Sequence, residues 1–244
     1  MEPTEGAIDP RPPEYARIRS GLHLLVDGHL NPLIFVPEWF RREDLLRDEE
    51  VESAEASLSS SSSFVAFKTN EFSFVVSLNS LEIFSNSAGL EPVLRDLMLN
   101  IFTSLRHTPL TKLTVSRSAH LANVTDLAIP PLWQCIMPMA PFEPLLGKPT
   151  VADISVKGFT GPVPEGAQVA ISLQPSTVHD AGLFVECKYS YDLPSDGGVG
   201  STDNLPDILK NAMETTRDHS EATYARFSNL LLRRPDSQPG HGPQ

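Results

Sequence analysis

The stretch from residue 64 to residue 121 constrains the fold more than any other part of this chain. Apolar and polar residues alternate in three segments, FVAFKT, FSFVVSL and LEIFSNS. The turns between these segments contain Asn70-Glu71 and Asn79-Ser80. Because the period of two restarts at each Asn-bearing turn, they predict three short antiparallel strands. The next apolar residues recur three or four apart, which predicts an amphipathic helix: Leu90, Leu94, Leu97, Met98, Ile101, Phe102 and Leu105. The segment LTKLTVSRSAHL then returns to strand, so the chain is predicted to be α+β.

The second half of the chain repeats this plan. ADISVKGF, AQVAISLQ and GLFVECKYSYDL alternate like strands, and a helical stripe runs from Leu205 to Leu231 after a plausible N-cap at Asp203. We therefore predict an α+β fold of antiparallel sheet with two long amphipathic helices, arranged as two pseudo-repeated β-β-β-α halves. The halves, residues 15–125 and 150–232, are joined by the proline-rich connection 126–149 into one domain. Residues 1–14 and 233–244 are predicted to be flexible tails.

The start of the domain is less regular. RIRSGLHLLV and NPLIFV resemble two strands on either side of Asp27-Gly28, and PEWFRREDLLRD predicts a short helix from Pro37. The serine run from Leu58 to Ser63 is interpreted as a surface loop.

Composition excludes several classes of function. The 31 acidic and 19 basic side chains give a net charge of -12, which disfavours nucleic acid as a partner. No apolar run is long enough to span a bilayer, and the acidic, proline-rich N-terminus does not resemble a secretory signal. We expect a cytoplasmic protein. The 2 cysteines, Cys135 and Cys187, are far apart, and the 7 histidines lack metal-ligand spacing, so no metal and no cofactor is predicted.

Catalytic motifs give no specific prediction. Cys187 shares a strand face with apolar residues, which favours a core position over a nucleophile. Ser176 and His179-Asp180 belong to one tight turn, where they cannot form a triad, and the glycine-rich loop GGVG lacks the lysine of a phosphate loop. A site assembled from separate strands, with His120 and either Asp126 or Asp153, is the enzymatic alternative.

Aromatic and methionine side chains in irregular segments are the strongest candidates for binding. Large apolar residues follow Pro37 and punctuate the proline-rich connection, and such residues suit adaptable contact surfaces unless the loop packs over the sheet. His120 lies opposite the apolar face of its strand and could line a groove. The predicted binding residues are Trp39, Phe40, His120, Trp133, Met137, Met139 and Phe142.

The chain also resembles a bacterial protein family through the run FSFVVSLNSLEIFSNS, the helix LEPVLRDLMLNIFTSLRHTP and the strand LTKLTVSRSAHL. The resemblance covers roughly residues 35 to 230, and that family implies no activity. More loosely, an acidic antiparallel sheet followed by long helices is similar to SecB-type export chaperones, which bind unfolded chains along apolar grooves. That similarity is one of fold and transfers no individual residues.

These observations predict a non-catalytic, chaperone-like or adaptor protein that binds an apolar segment of a partner protein at a sheet edge or beside the helices. Two alternatives stay open. One is a small hydrolase or transferase, and the other is a self-associating structural component of a phage or larger assembly. Each interpretation is compatible with a homo-oligomer.

Overall fold

The computed structural model describes residues 15–123, 143–146, 153–158, 166–179, 182–193 and 205–232. Within them, nine strands form one antiparallel sheet with the order β2-β3-β4-β5-β1-β6-β9-β8-β7. The strands are β1 Tyr15–Gly28, β2 Ser59–Ser61, β3 Phe64–Lys68, β4 Ser73–Ser77, β5 Ser80–Ser85, β6 Leu110–Asn123, β7 Ile154–Gly158, β8 Ala167–Pro175 and β9 Leu183–Asp192. The mixed α+β architecture predicted from the sequence is confirmed.

Two meanders of three strands flank a central pair. β3, β4 and β5 lie on one side of β1, and β9, β8 and β7 lie on the other side of β6. Strands β1 and β6, each of 14 residues, pair along almost their whole length. Each meander is followed by a helix, so the predicted plan of three strands and a helix recurs, and the pairing of β6 with β9 joins the two halves into one sheet.

Four of the five described α-helices pack on one face of this sheet, which we call the helix face. The described α-helices are α1 Pro37–Arg42, α2 Asp48–Ala56, α3 Glu91–Ser104, α4 Glu143–Leu146 and α5 Leu205–Leu232. The sheet side chains on the helix face alternate along each strand and form one buried core with α1, α2, α3 and α5. We call the opposite side of the sheet the second face.

An aromatic cluster anchors the first helix to the sheet. The Phe40 ring lies 5.4 Å from that of Phe67 and 5.2 Å from that of Phe74, both in edge-on geometry. Phe67 and Phe74 stack on neighbouring strands, with centroids 4.5 Å apart. Such pairs add about 0.5–1.5 kcal/mol beyond their buried area, so this cluster fixes the packing of α1.

Two local predictions were wrong, and one helix was missed. NPLIFV is not a strand, because Pro32 begins a short 3-10 helix capped by the side chain of Asn31, which accepts a hydrogen bond from the Leu33 amide. The serine run is not a loop throughout, since Ser59–Ser61 pairs with β3 as a fully exposed edge strand. Helix α2 was not predicted, because only Glu50, Val51 and Ala54 of its residues are buried.

Candidate functional site

The predicted aromatic binding residues near Pro37 lie in the core. Trp39 is 6 % exposed and Phe40 is fully buried. Their rings pack against one another with centroids 4.9 Å apart. Because a partner cannot reach buried rings without unfolding α1, these two residues serve packing in this structure. The other predicted residues, Trp133, Met137, Met139 and Phe142, lie outside the described residues, as do Cys135, Asp126 and the glycine-rich loop.

His120 lies on the second face, as its position opposite the apolar residues of β6 predicted. Its Nδ1 is 2.8 Å from the Ser176 hydroxyl oxygen, and its ring lies 4.8 Å from the ring of Phe184. The same hydroxyl oxygen accepts hydrogen bonds from the amides of Val178 and His179, each at 3.1 Å. With both acceptor positions used, the Ser176 hydroxyl is left to donate its proton to Nδ1 of His120. The oxygen lone pairs that a nucleophile would need are engaged by amides of its own turn, so Ser176 serves to hold that turn together.

Of the two carboxylates proposed to accompany His120, the structure describes Asp153. The register places His120 opposite Phe184 and Phe184 opposite Gln174, while the Gln174 side-chain amide donates to Asp153 across the last strand pair at 3.4 Å. His120 and Asp153 therefore stand three strand spacings apart, about 14 Å at roughly 4.8 Å per spacing. This separation excludes a direct contact between the two side chains, so the predicted pairing of His120 with Asp153 is wrong.

Cys187 is fully buried on the helix face, as its phase in β9 predicted. Burial raises the pKa of its thiol to about 11, so the thiolate needed for nucleophilic attack is scarce at neutral pH. Close by, the Tyr189 hydroxyl lies 2.8 Å from Nδ1 of His219 on α5. Burial lowers the pKa of His219, and the positive charge of Arg226 adds to that effect. The hydrogen bond between the neutral side chains of Tyr189 and His219 ties α5 to the sheet.

The most completely built polar site is the buried guanidinium of Arg117, which the sequence analysis missed. It donates to both carboxylate oxygens of Glu91 at the start of α3, at 2.9 and 2.6 Å. It also donates to the Thr216 hydroxyl at 3.0 Å and to the Met213 carbonyl at 2.7 Å, both on α5. A charged residue in the helix-face phase of a core strand was the signal that could have revealed it. The arrangement joins a central strand to two helices, and all of its described partners belong to the protein itself.

Among the described residues, a cavity of about 470 Å³ opens beside the turn between β3 and β4. Its lining includes Asn70, Glu71, Phe84 and Leu90, and His120 is not among the residues that line it. The cavity therefore does not provide the histidine-containing pocket that the enzymatic alternative requires. Among the described residues, no group of three or more His, Cys, Asp or Glu side chains could hold a metal ion.

The outermost strand of the second meander, β7, offers an accessible sheet edge. Among the described strands, β7 pairs on one side only, with β8. The apolar helix face continues onto it, because Val156 lies opposite Ile171 and Ile154 lies opposite Leu173. Helix α5 packs over β6 and β9, and Val156 is 63 % exposed. Apolar side chains and a backbone edge are thus accessible at one place, which we call the β7 edge: β7 together with Ile171.

No protein-family model and no curated protein matches this chain. The resemblances noted in the sequence therefore remain resemblances of pattern and architecture. No helix within the described ranges combines the length and apolar character that crossing a membrane requires.

Proposed function

We propose that this chain is a non-catalytic protein-interaction protein, chaperone-like or an adaptor, that binds an extended apolar segment of a partner protein. The supporting observation is the β7 edge, where exposed Val156 lies on a strand that is hydrogen-bonded on one side in the described structure. An added strand would gain main-chain hydrogen bonds from β7 and would place alternate side chains beside those of the sheet.

The two faces of an added strand would meet different surroundings. On the helix face, the partner's apolar side chains would lie beside Ile154 and Val156, which the described helices leave partly or largely exposed. On the second face, the neighbours would be Ser155 and Lys157, which are exposed. The β7 edge therefore favours segments that alternate between apolar and polar residues.

The other end of the sheet provides an internal comparison. β2 is also an edge strand, but it contains Ser59, Ser60 and Ser61. It offers backbone groups without apolar side chains. A partner that needs both should choose β7, and a partner that needs only backbone pairing should not distinguish the two edges.

The test is fluorescence anisotropy with a labelled synthetic peptide of alternating valine and threonine that carries terminal lysines for solubility. Val156→Lys should weaken binding about ten-fold or more, because it places a charge beside the apolar side chains of the peptide. Val93→Lys is the matched control, since Val93 is 49 % exposed on α3, which packs on β5 at the other side of the central strand pair from β7. Unchanged binding by Val156→Lys, or equal losses in both variants, would refute the proposed edge.

A second variant, Trp133→Ala with Met137→Ala, examines the connection that the sequence analysis favoured. We expect it to bind the peptide as the unmodified protein does if the β7 edge is the main contact. A loss confined to this variant would move the binding surface to the connection and away from the edge.

A further inference from the structure

The residue pattern of the β7 edge is complementary to itself. The described segment 153–158 ends at Gly158, and its first five residues are Asp153, Ile154, Ser155, Val156 and Lys157. These five have an acidic side chain at one end and a basic one at the other. Ile154 and Val156 share the helix face, while Ser155 and Lys157 share the second face through their pairing with Ser172 and Ala170. Reversing the direction of such a segment exchanges its charges and keeps its apolar positions.

We infer that the β7 edge pairs antiparallel with β7 of a second copy of this chain, about a two-fold axis at Ser155. This inference rests on the proposed function, because it names the partner that the edge accepts. Each Asp153 then lies opposite Lys157 of the other copy, and each Ile154 lies opposite the other copy's Val156. Both charge pairs fall on the second face and both apolar pairs on the helix face, so each sheet continues into the next.

Other registers pair fewer of the charged and apolar side chains. A two-fold axis at Val156 would place Ile154 opposite Gly158 and Lys157 opposite Ser155, which leaves the charges unpaired and the isoleucine beside a residue without a side chain. A two-fold axis midway between two residues would offset the register by one residue. The apolar side chains of one copy would then share a face with the polar side chains of the other. Charge and apolar pairing therefore select the register centred on Ser155.

The groups that would pair are accessible in the single chain. Asp153 and Lys157 are both exposed. One carboxylate oxygen of Asp153 accepts a long hydrogen bond of 3.4 Å from Gln174, which lies on the far side from the free edge. Because five residues bury much less than a standard interface, we expect a weak dimer, with a dissociation constant on the order of 10–100 µM.

Charge exchange tests the inference by sedimentation equilibrium at about 100 µM, close to the expected dissociation constant. Asp153→Lys and Lys157→Asp should each weaken the dimer about ten-fold, since two attractive pairs become repulsive. The doubly exchanged chain, Asp153→Lys with Lys157→Asp, should dimerise as the unmodified protein does. An equimolar mixture of the two single variants should form a heterodimer, because their charges are again opposite.

Cysteine cross-linking tests the register in a Cys135→Ser background. Directly opposed residues in an antiparallel pair lie about 4.5–5.5 Å apart, a separation that a disulfide can span. Ser155→Cys should therefore form a covalent dimer under mild oxidation. Ser61→Cys, on the opposite edge strand, is the control and should remain monomeric.

The outcomes separate this inference from the proposed function. A chain that stays monomeric but binds the valine-threonine peptide through Val156 overturns the dimer and leaves the edge as a site for other partners. A dimer that is insensitive to charge exchange and to Ser155→Cys also overturns it, since the copies then meet elsewhere. A chain that binds neither peptide nor a second copy refutes both proposals.

Discussion

Replacing Glu91 should reveal how much the protein depends on the buried cation of Arg117. The Arg117 side chain is 10 % exposed and the Glu91 side chain 20 % exposed, so water compensates poorly for a lost partner. Glu91→Ala removes two of the four hydrogen bonds that Arg117 donates and leaves it with two neutral acceptors. Because breaking a buried ion pair from one side costs about 3–5 kcal/mol, and Glu91 is only partly buried, we expect a loss of about 3 kcal/mol.

The measurement is the free energy of unfolding from urea titrations followed by circular dichroism. For a chain of this size a loss of about 3 kcal/mol corresponds to a melting temperature lower by roughly 6–12 °C. Asp96→Asn is the matched control on the same helix. Asp96 pairs with Arg95 at 2.7 Å in an exposed position, where such a pair contributes at most about 1 kcal/mol.

A double replacement separates the lost charge from lost packing. Arg117→Met with Glu91→Met removes both charges and keeps apolar volume, and such replacements of buried pairs are often close to neutral. We expect the double variant to regain most of the stability that Glu91→Ala loses. If Glu91→Ala were no less stable than Asp96→Asn, or if the double variant were less stable than Glu91→Ala, the argument from an unpaired buried charge would be refuted.

Three further predictions follow from individual sites. Gly28→Ala should cost about 1–3 kcal/mol in urea unfolding, because the added Cβ would lie 2.4 Å from the Pro109 carbonyl oxygen; Gly89→Ala, with no atom within 4 Å, should be close to neutral. Cys187 in the native protein should react with iodoacetamide at pH 8 at least about 100-fold more slowly than a thiol of ordinary pKa, as read by peptide mass spectrometry, because burial raises its pKa to about 11; equal labelling of native and urea-unfolded protein would contradict this. Burial, partly opposed by Glu82, lowers the pKa of His23 below its usual 6.5. The unfolded chain therefore binds the proton more tightly, and stability present above pH 6.5 should be lost as the pH falls toward the folded-state pKa. His23→Gln should flatten the dependence of unfolding free energy on pH between about 7 and 5, and an unchanged slope would argue against a role for this histidine.

The elements with strong apolar periodicity could be predicted from the sequence. The meander strands β3 to β5, β8 and β9, helix α3 and helix α5 each bury one regular face, and their apolar spacing follows from that burial. β7 keeps the same alternation, although none of its residues is buried. Strand β2 leaves no such record, because all of its serines are exposed and its backbone pairing alone makes it a strand. NPLIFV gave a misleading signal, since its apolar residues suggested a strand while Asn31 and Pro32 begin a 3-10 helix.

The candidate sites depend on pairing between distant segments, which local periodicity does not encode. The position of β1 between β5 and β6 separates the two meanders, and it could not be inferred from either strand alone. The separation of His120 from Asp153 follows from the strand order, which places β9 and β8 between β6 and β7. Arg117 could have been recognised as a buried cation from its phase in β6, but its partners Glu91 and Thr216 come from helices whose docking the sequence does not specify.

The central position of β1 also affects how the chain folds as it is synthesised. Leu24 pairs with Ile83 and Val115, so its nearer neighbour follows 59 residues later and its farther neighbour 91 residues later. At roughly 5–20 residues per second, translation supplies the second neighbour only about 5–18 s after the first strand has been made. During that interval the backbone edge of β1 that faces β6 lacks its native partner. The nascent chain should therefore be most prone to aggregation, and most dependent on ribosome-associated chaperones, before Leu110–Asn123 has been made.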